Sequence, residues 1–228
     1  MPLLKPQSIP RSKVCHSNPI LWDNGRAAQG FNPPGQKYFG YEVVPSRNEW
    51  SDGTPTFMSP MSHYHLLQTE SFHVASGSGI WHMRGKQIYL KAGDDITIPK
   101  FVAHRFENAS QTEPLVIQYR YDAQMYGMER RFFANTLNYM WDCKMAGQEP
   151  SLPQLCIFLA DCWMPPDILW IPGGEHARCL LNTLFMWLLA FIGLFFLGYK
   201  HSYPEYLDPF QAENGDDGWL QRNYKALC

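Results

Sequence analysis

Short β-type runs fill the first half of the chain and limit the folds that it can adopt. They are rich in Ile, Val, Tyr and Phe and are bounded by Gly, Asp, Asn or Pro. Between Lys37 and Asp122 they read KYFGYEVV, SFHVAS, GIWHM, KQIYL, DITIP and PLVIQYRYD. Many short strands at this spacing predict an antiparallel sandwich or barrel, so the expected fold class is mainly β.

The segments on either side of these runs differ in composition. Residues 1–36 are rich in Pro, Gly, Ser and Asn and are expected to form an irregular N-terminal arm. The β barrel is assigned to residues 37–123. Apolar side chains then recur at helical intervals, and a second apolar segment ends before two adjacent prolines, which predicts a helical region over residues 124–177.

One stretch, from Cys179 to Tyr199, contains no charged side chain. A helix of this length spans about 30 Å, the thickness of a bilayer core, so a transmembrane helix is predicted over residues 178–200. The alternative is a buried core or dimer-interface helix, but large apolar side chains lie all around this one. The prediction is a single-pass membrane protein with its barrel in the cytoplasm and a polar tail over residues 201–228. The flanking charges determine this orientation only weakly.

Charge and cysteine usage narrow the class of partner. The net charge is −2, and the 19 basic residues form no long run, so nucleic acid is not an expected partner. The six cysteines form no C-x-x-C pair, which is typical of reduced intracellular thiols. The N-terminal residues lack the apolar core of a secretory signal peptide.

Two histidines and a glutamate stand close together in the stretch SPMSHYHLLQTESFHVASGSG. On a strand, residues two apart share a face, so His63 and His65 are expected to project side by side while Tyr64 points away. Glu70 follows after a turn-length interval and can offer its carboxylate to the same point from a neighbouring strand. Gly77 then opens the next turn.

A later block, GDDITIPKFVAHRFEN, supplies a third histidine. His104 follows Gly93 and Pro99, which set a turn and a strand start, and Asn108 comes four residues later with inward parity. Three imidazoles and one carboxylate suit one divalent ion, either Fe, Mn, Cu, Ni or Zn, and leave coordination positions open. A structural zinc site would be closed, preferably by thiolates, and the barrel segment contains no cysteine.

Together the two blocks resemble the two motifs of the cupin family. The first is HxH, four residues, Glu, six residues and Gly, and the second is Gly, five residues, Pro, four residues, His, three residues and Asn. The resemblance implies a small double-stranded β-helix, the cupin jelly-roll barrel, with a metal inside it. By the family pattern, the metal ligands are His63, His65, Glu70 and His104, and the structural positions are Gly77, Gly93, Pro99 and Asn108.

The chain departs from the family pattern at two glycines. Phe57 stands six positions before the first histidine, and Phe101 stands two after the proline, where the family usually has Gly. Both changes are expected to alter turns near the rim of the barrel and to leave the metal ligands in place.

Cupins include oxygenases, decarboxylases, isomerases, epimerases and binding proteins, so the fold does not select a reaction. The chain also resembles fungal single-domain cupins encoded beside polyketide pathways, in its order of segments and in GYKHSYPEY. That resemblance implies a small aromatic or polyketide-derived metabolite as substrate. The open metal positions favour a mononuclear oxidoreductase of the oxygenase or oxidase type acting on it, with Glu70 as the catalytic residue that takes up a proton. The alternatives are a redox-neutral Lewis-acid enzyme (isomerase, cyclase or dehydratase) and a non-catalytic membrane-tethered binding module.

Other side chains receive plainer interpretations. His73 and His82 are expected to pack without binding metal, although His82 could act as an acid or base beside the site. Aromatic residues could line the mouth of the barrel, but no substrate-binding residue is assigned. The candidates are Trp81, Tyr89, Phe106, Tyr119 and Tyr121. A homodimer is a further expectation, since barrels of this family often pair.

Overall fold

The computed structural model describes residues 6–47, 56–172 and 174–208. Within these ranges the strands are β1 (Ile20–Trp22), β2 (Ala27–Phe31), β3 (Gly40–Val44), β4 (Glu70–Ser76), β5 (Ser78–Met83), β6 (Lys86–Lys91), β7 (Asp95–Ile98), β8 (His104–Asn108) and β9 (Leu115–Tyr121). The helices are α1 (Tyr126–Met145), α2 (Leu152–Asp161) and α3 (Glu175–Ile192), and α3 continues as a π-helical turn over Gly193–Leu197.

Two antiparallel sheets form the β domain. The larger has the order β1-β2-β3-β9-β4-β7, and the smaller has the order β6-β5-β8. Strands β3 and β9 bury every second residue, as their apolar alternation predicts. The inner faces meet through aromatic rings, with Phe72 of the larger sheet 5.4 Å from Phe106 of the smaller. The prediction of a mainly β fold is confirmed.

The expectation of an irregular arm over residues 1–36 is wrong for two segments. Strands β1 and β2 lie within it and extend the larger sheet beyond β3. The sequence AAQGF of β2 has weak intrinsic strand preference, and this strand forms because its edge pairs with β3 and all five residues are buried. Gly30 is required there, because a Cβ at this position would overlap the Tyr41 ring.

Helices α1 and α2 lie within residues 124–177, where the sequence predicts helices. Phe133 and Leu137 of α1 pack against the core of the β domain. On its other side, α1 contacts α2, with the rings of Tyr139 and Phe158 5.9 Å apart. Helix α1 therefore lies between the barrel and the remaining helices, close to one end of the barrel.

Helix α3 buries one face and exposes the other. Cys179, Asn182, Met186 and Ala190 are buried, whereas Leu184 and Leu188 are 61% and 57% exposed. Within the described part of the chain, it is the one helix long and apolar enough to cross a membrane, as judged by length and composition. The predicted C-terminal apolar helix is confirmed in that sense.

Both flanks of α3 contact the rest of the domain. In the first turns of α3, Arg178 Nη2 lies 2.6 Å from the carboxylate of Asp167 in the preceding loop. After the helix, the Tyr203 hydroxyl donates to Gln154 Oε1 on α2 at 2.6 Å. The described start of the predicted polar tail, residues 201–208, is therefore packed on the domain, and residues 209–228 lie outside the described ranges.

Candidate metal centre

The segment that contains His63 and His65 is held between two other parts of the chain. The backbone N–H of His63 donates to the carbonyl of His104, and His104 donates back to His63, both at 3.0 Å. On the opposite edge, Tyr64 N–H donates to Pro165 O at 3.0 Å. This two-sided pairing gives the segment the alternation of a strand, so the two histidines share a face as their spacing predicts.

Four donor atoms converge at the end of the barrel where the two sheets meet. His63 Nε2 lies 3.2 Å from His65 Nε2. Glu70 Oε2, from the first residue of β4, lies 3.3 Å from His65 Nε2 and 3.0 Å from His104 Nε2, from the first residue of β8. All four ligand atoms lie within 4.8 Å of one another, and all four side chains are buried.

Backbone carbonyls set the tautomer of two of these histidines. His63 Nδ1 lies 2.9 Å from Met61 O, and His104 Nδ1 lies 3.1 Å from Val102 O. A carbonyl oxygen only accepts, so Nδ1 bears the hydrogen in both rings and Nε2 presents a lone pair. The lone pairs of His104 Nε2 and Glu70 Oε2 then face each other, which is stable only with a cation or a proton between them. The donor set fits a divalent metal ion.

The ionisation states of the cluster agree with this interpretation. Burial lowers the pKa of His63 well below its usual value, and the neighbouring His104 and His65 lower it further. Burial by itself would raise the pKa of Glu70, but positive charge on the side of His65 and His104, which a proton or a bound cation can supply, outweighs it and holds that pKa well below its usual range. A neutral imidazole and an ionised carboxylate are the forms that bind a metal ion.

The glycines of the two motifs lie in turns. Gly77, between β4 and β5, has φ of +78°, and a Cβ there would collide with the carbonyl oxygen of Pro114. Gly93, between β6 and β7, has φ of +92°. Both positions favour glycine because a side chain in this region is strained. Pro99 was expected at a strand start and instead directly follows the last residue of β7.

Asn108 closes the other end of β8. Its amide nitrogen donates to Val44 O, Pro45 O and Glu113 O at 3.1, 3.1 and 2.9 Å, and its Oδ1 accepts from Ser110 N–H at 2.8 Å. The side chain is buried, as the strand parity predicts. It ties the smaller sheet to the end of β3.

The two departures from the glycine pattern have different consequences. Phe101 adopts φ of +63°, the left-handed conformation that glycine would favour at this turn, and is 41% exposed. Phe57 lies inward, with its ring 5.6 Å from both Trp22 and Trp141. The turn at Phe101 keeps the glycine-like backbone, and Phe57 adds a ring to the wall beside the site.

A cavity of about 100 Å³ adjoins the cluster and includes His63 and Glu70 in its wall. The rest of the wall is largely aromatic and aliphatic, and it comes from the barrel, from the segment after Phe57 and from both α1 and α2. The aromatic members are Phe57, Phe72, Phe106, Tyr119, Tyr121, Phe132 and Phe133. Such a wall favours an apolar, ring-containing ligand over a charged one.

Three of the five aromatic candidates from the sequence lie in this wall: Phe106, Tyr119 and Tyr121. Trp81 is fully buried behind Phe106, with the two rings 5.7 Å apart, and Tyr89 is 63% exposed. The contribution of α1 and α2 was missed, because helical periodicity shows that a helix has an apolar face and does not show what that face covers.

The two remaining histidines of the barrel lie apart from the cluster. His73 Nδ1 is 3.1 Å from Asp95 at the surface, and His82 Nε2 is 2.8 Å from Glu107. Their placement agrees with the packing roles expected from the sequence.

Sequence reasoning also missed Glu42, on β3. This side chain is 5% exposed and lines the same cavity as Glu70. The strand alternation of GYEVV places it on the inner face, and a charged residue at an inward position was the available signal.

Comparisons with known proteins match this chain to one domain family and to two named fungal proteins. A profile of the cupin domain matches residues 54–119. A protein of Hypocrea virens named "Probable oxidoreductase virH" is 35% identical over 154 residues, which cover 64% of this chain and 67% of that protein. Another, of Aspergillus niger, named "Probable oxidoreductase yanE", is 23% identical over 228 residues, covering 94% of this chain and 87% of that protein.

Solved structures include a cupin-2 domain containing protein from Shewanella frigidimarina. It is 20% identical, with a TM-score of 0.31, and the match covers 46% of this chain and 83% of that chain.

Proposed function

Because this chain belongs to the cupin family, we propose that it is a metal-dependent oxidoreductase that acts on a small aromatic metabolite. The carrying observation is that a buried donor set of three histidines and one glutamate opens onto a cavity with a largely aromatic wall. The names of two relatives, each a probable oxidoreductase, support oxidation as the reaction type.

Four atoms would hold the metal: Nε2 of His63, His65 and His104, and a carboxylate oxygen of Glu70. A bound iron, manganese, copper or nickel ion supplies redox chemistry at its open positions, whereas zinc would supply only Lewis acidity. The carbonyls of Met61 and Val102 fix the rings of His63 and His104, so the donor geometry exists before any ligand enters.

Proton transfer falls to Glu70 in this proposal. Its carboxylate is the acidic group nearest to a substrate hydroxyl that enters the donor cluster, and it takes up the proton that this hydroxyl loses. Because the pKa of Glu70 is held well below its usual range, the carboxylate is ionised at neutral pH and can accept this proton. Rings at Phe57, Phe132 and Phe133 exclude water from the cavity and strengthen the electrostatic interactions inside it.

The same wall supports the class of substrate. An aromatic or reduced polyketide with few charges would bury its rings against the phenylalanines and place an enol or phenol oxygen near Glu70. We extend the proposal to secondary-metabolite biosynthesis, the context implied by the resemblance to fungal cupins.

The test is metal content and oxygen uptake of the purified full-length protein, beside a His63→Ala/His65→Ala double variant. We expect about one redox-active ion per chain in the wild type, less than a tenth of that in the folded variant, and oxygen uptake with a panel of phenols and enolised polyketides only when metal is bound. A His73→Ala variant, which changes a histidine outside the cluster, should keep both metal and activity.

Two results would contradict this proposal. Absence of metal after reconstitution in folded wild-type protein would remove the metalloenzyme. Turnover of the same substrates without oxygen uptake, or with zinc alone, would replace oxidation with a redox-neutral Lewis-acid reaction.

For localisation, we propose that α3 lies along the membrane surface with its exposed face in the lipid. A helix that crosses a bilayer places its ends about 30 Å apart on opposite sides, whereas here the contacts of Arg178 and of Tyr203 attach both flanks to one domain. In this arrangement an apolar substrate would reach the enzyme from the bilayer into which it partitions.

A further inference from the structure

Glu42 occupies an unusual place for a carboxyl group. It is the middle residue of β3, directly opposite Gln29 on β2 and Ile117 on β9. Strand alternation turns it toward the interior. There the residue is only 5% exposed, and it forms part of the cavity wall. The rest of that wall is mostly hydrocarbon, so this carboxyl is a polar group in an apolar chamber.

Two neighbouring side chains, Gln29 and Tyr119, hydrogen-bond each other and not Glu42, and Gln29 Oε1 has no partner within the described residues. Gln29 Nε2 donates to the Tyr119 hydroxyl at 2.7 Å. Gly40 lies beside this pair, and a Cβ there would lie 2.3 Å from the backbone oxygen of Gly30 and 3.3 Å from both Gln29 Nε2 and the Tyr119 hydroxyl oxygen. Within the described residues, no hydrogen bond to the Glu42 carboxyl is found.

The Glu42 carboxyl has no protein partner within the described residues and faces the cavity, so only the contents of the cavity can hydrogen-bond it, and this placement costs stability. Leucine or glutamine at this inward position would avoid part of that cost. Buried polar groups are ordinarily hydrogen-bonded. We therefore expect the Glu42 carboxyl to hydrogen-bond a molecule that enters the cavity.

We propose that Glu42 is a substrate-positioning residue, whose carboxyl hydrogen-bonds a neutral oxygen, either hydroxyl or carbonyl, of an otherwise apolar aromatic ligand in this cavity. The proposal deepens the proposed function and rests on it for the identity of the ligand as substrate. Glu42 and the donor cluster are parts of one wall, and a cavity of about 100 Å³ suits a ligand of about one ring, with one oxygen near the cluster and another at Glu42.

Electrostatics select the kind of oxygen. Burial, with a smaller contribution from the charge of Glu70, raises the pKa of Glu42 to about 8. At neutral pH the group is mostly a carboxylic acid, with one O–H donor and one carbonyl acceptor. It therefore suits a neutral phenol, alcohol or ketone, and an ammonium group is disfavoured.

The test measures binding and does not depend on turnover. Affinities of 4-methylphenol, toluene and benzylamine are measured by calorimetry at pH 7 for the full-length detergent-solubilised protein. The variants are Glu42→Leu, which removes the polar group, Glu42→Gln, which keeps a neutral donor and acceptor, and His65→Ala, which damages the metal cluster. Partition of each probe into detergent is the same for every variant, so ratios between variants report the protein.

We expect the wild type to prefer 4-methylphenol over toluene by about tenfold, the worth of one buried hydrogen bond. The preference should disappear in Glu42→Leu and persist in Glu42→Gln and in His65→Ala. Equal preference in Glu42→Leu and wild type would overturn the proposal, as would a preference for benzylamine that depends on Glu42.

Failure of the proposed function gives a different pattern. If the protein binds no metal, the Glu42-dependent preference is unaffected. If the phenol binds only at the metal, His65→Ala loses the preference while Glu42→Leu keeps it.

The folding control is the stability of the two Glu42 variants. Both remove a buried ionisable group, so circular dichroism and melting temperature should show folded protein at least as stable as the wild type at pH 8 and above.

Discussion

At the scale of single residues, the centre depends on ionisation as much as on position. Burial and the neighbouring histidines lower the pKa of His63, whereas the neighbouring histidines lower the pKa of Glu70 against the effect of burial. Both shifts keep the metal-binding forms populated at neutral pH. Metal binding is therefore opposed by protons only when the pH falls below the ordinary histidine range.

A first prediction concerns acid. Because the folded-state pKa of His63 lies below its unfolded value, its contribution to stability is complete above about pH 6.5 and is lost as the pH falls. The contribution of Glu70 to stability is likewise lost as the pH falls below about 4.5, because its folded-state pKa is also lowered. Dialysis at pH 7 should retain the metal, and dialysis at about pH 5 should release most of it, as measured by elemental analysis. His73→Ala should follow the wild-type profile, and metal retained fully at about pH 4 would contradict three-histidine ligation.

A second prediction concerns Phe101, which holds a left-handed backbone conformation without being glycine. Phe101→Ala keeps the unfavourable φ and loses the ring, whereas Phe101→Gly loses the ring and relieves the strain. The glycine variant should therefore be more stable than the alanine variant by about 1 kcal/mol in chemical denaturation. Equal stabilities, or a more stable alanine variant, would show that this turn relaxes in solution.

At the scale of elements, one amide connects the two sheets. Asn108 at the end of β8 donates to carbonyls at the end of β3 and in the loop before β9. Such a connection matters because His104 begins the same strand, so a displaced β8 would move His104 within the cluster.

A third prediction follows from this connection. Asn108→Ala should lower the free energy of unfolding by about 2 to 4 kcal/mol, because three carbonyls lose their donor while the site stays buried. Asn108→Asp should be at least as destabilising, since an oxygen then faces those carbonyls. The exposed neighbour Gln111 provides the control, and Gln111→Ala should change stability by less than about 0.5 kcal/mol. Near-neutral Asn108→Ala would show that water replaces the amide.

At the scale of the whole molecule, the exposed face of α3 carries several large hydrophobic side chains. Its side chains recur at helical spacing, and they include Leu180, Leu184, Leu188, Phe191 and Phe195. A bilayer or a second copy of the chain could cover this face, and these occupants give different results in one experiment.

A fourth prediction distinguishes a bilayer from a second copy of the chain as the partner of this face. Full-length protein should float with phosphatidylcholine vesicles, and Leu184→Glu/Leu188→Glu should reduce the floated fraction at least tenfold, because two charges would enter the lipid. Leu21→Glu, at a site that is 56% exposed on β1, is the matched control and should float normally. If the double variant still floats but changes from dimer to monomer by light scattering, the face is a dimer interface.

Much of the barrel could be predicted from sequence. Alternation and turn residues predicted the strands from Gly40 onward, and the spacing of His63, His65, Glu70 and His104 predicted the buried cluster that the structure brings together. These signals are local, since a strand period and a motif interval are properties of a few adjacent residues. Strand β2 was not predicted, because AAQGF has little intrinsic preference and depends on pairing with β3.

The amino-acid sequence by itself determined the β class, the identity of the four donor side chains and the presence of an apolar helix of bilayer length. Only the tertiary structure decided that α1 and α2 complete the wall of the cavity, that Glu42 faces the same chamber as Glu70, and that both flanks of α3 attach to one domain. The reason is physical. Periodicity records which face of an element is apolar, whereas the partner that covers that face is selected by packing between segments far apart in the chain.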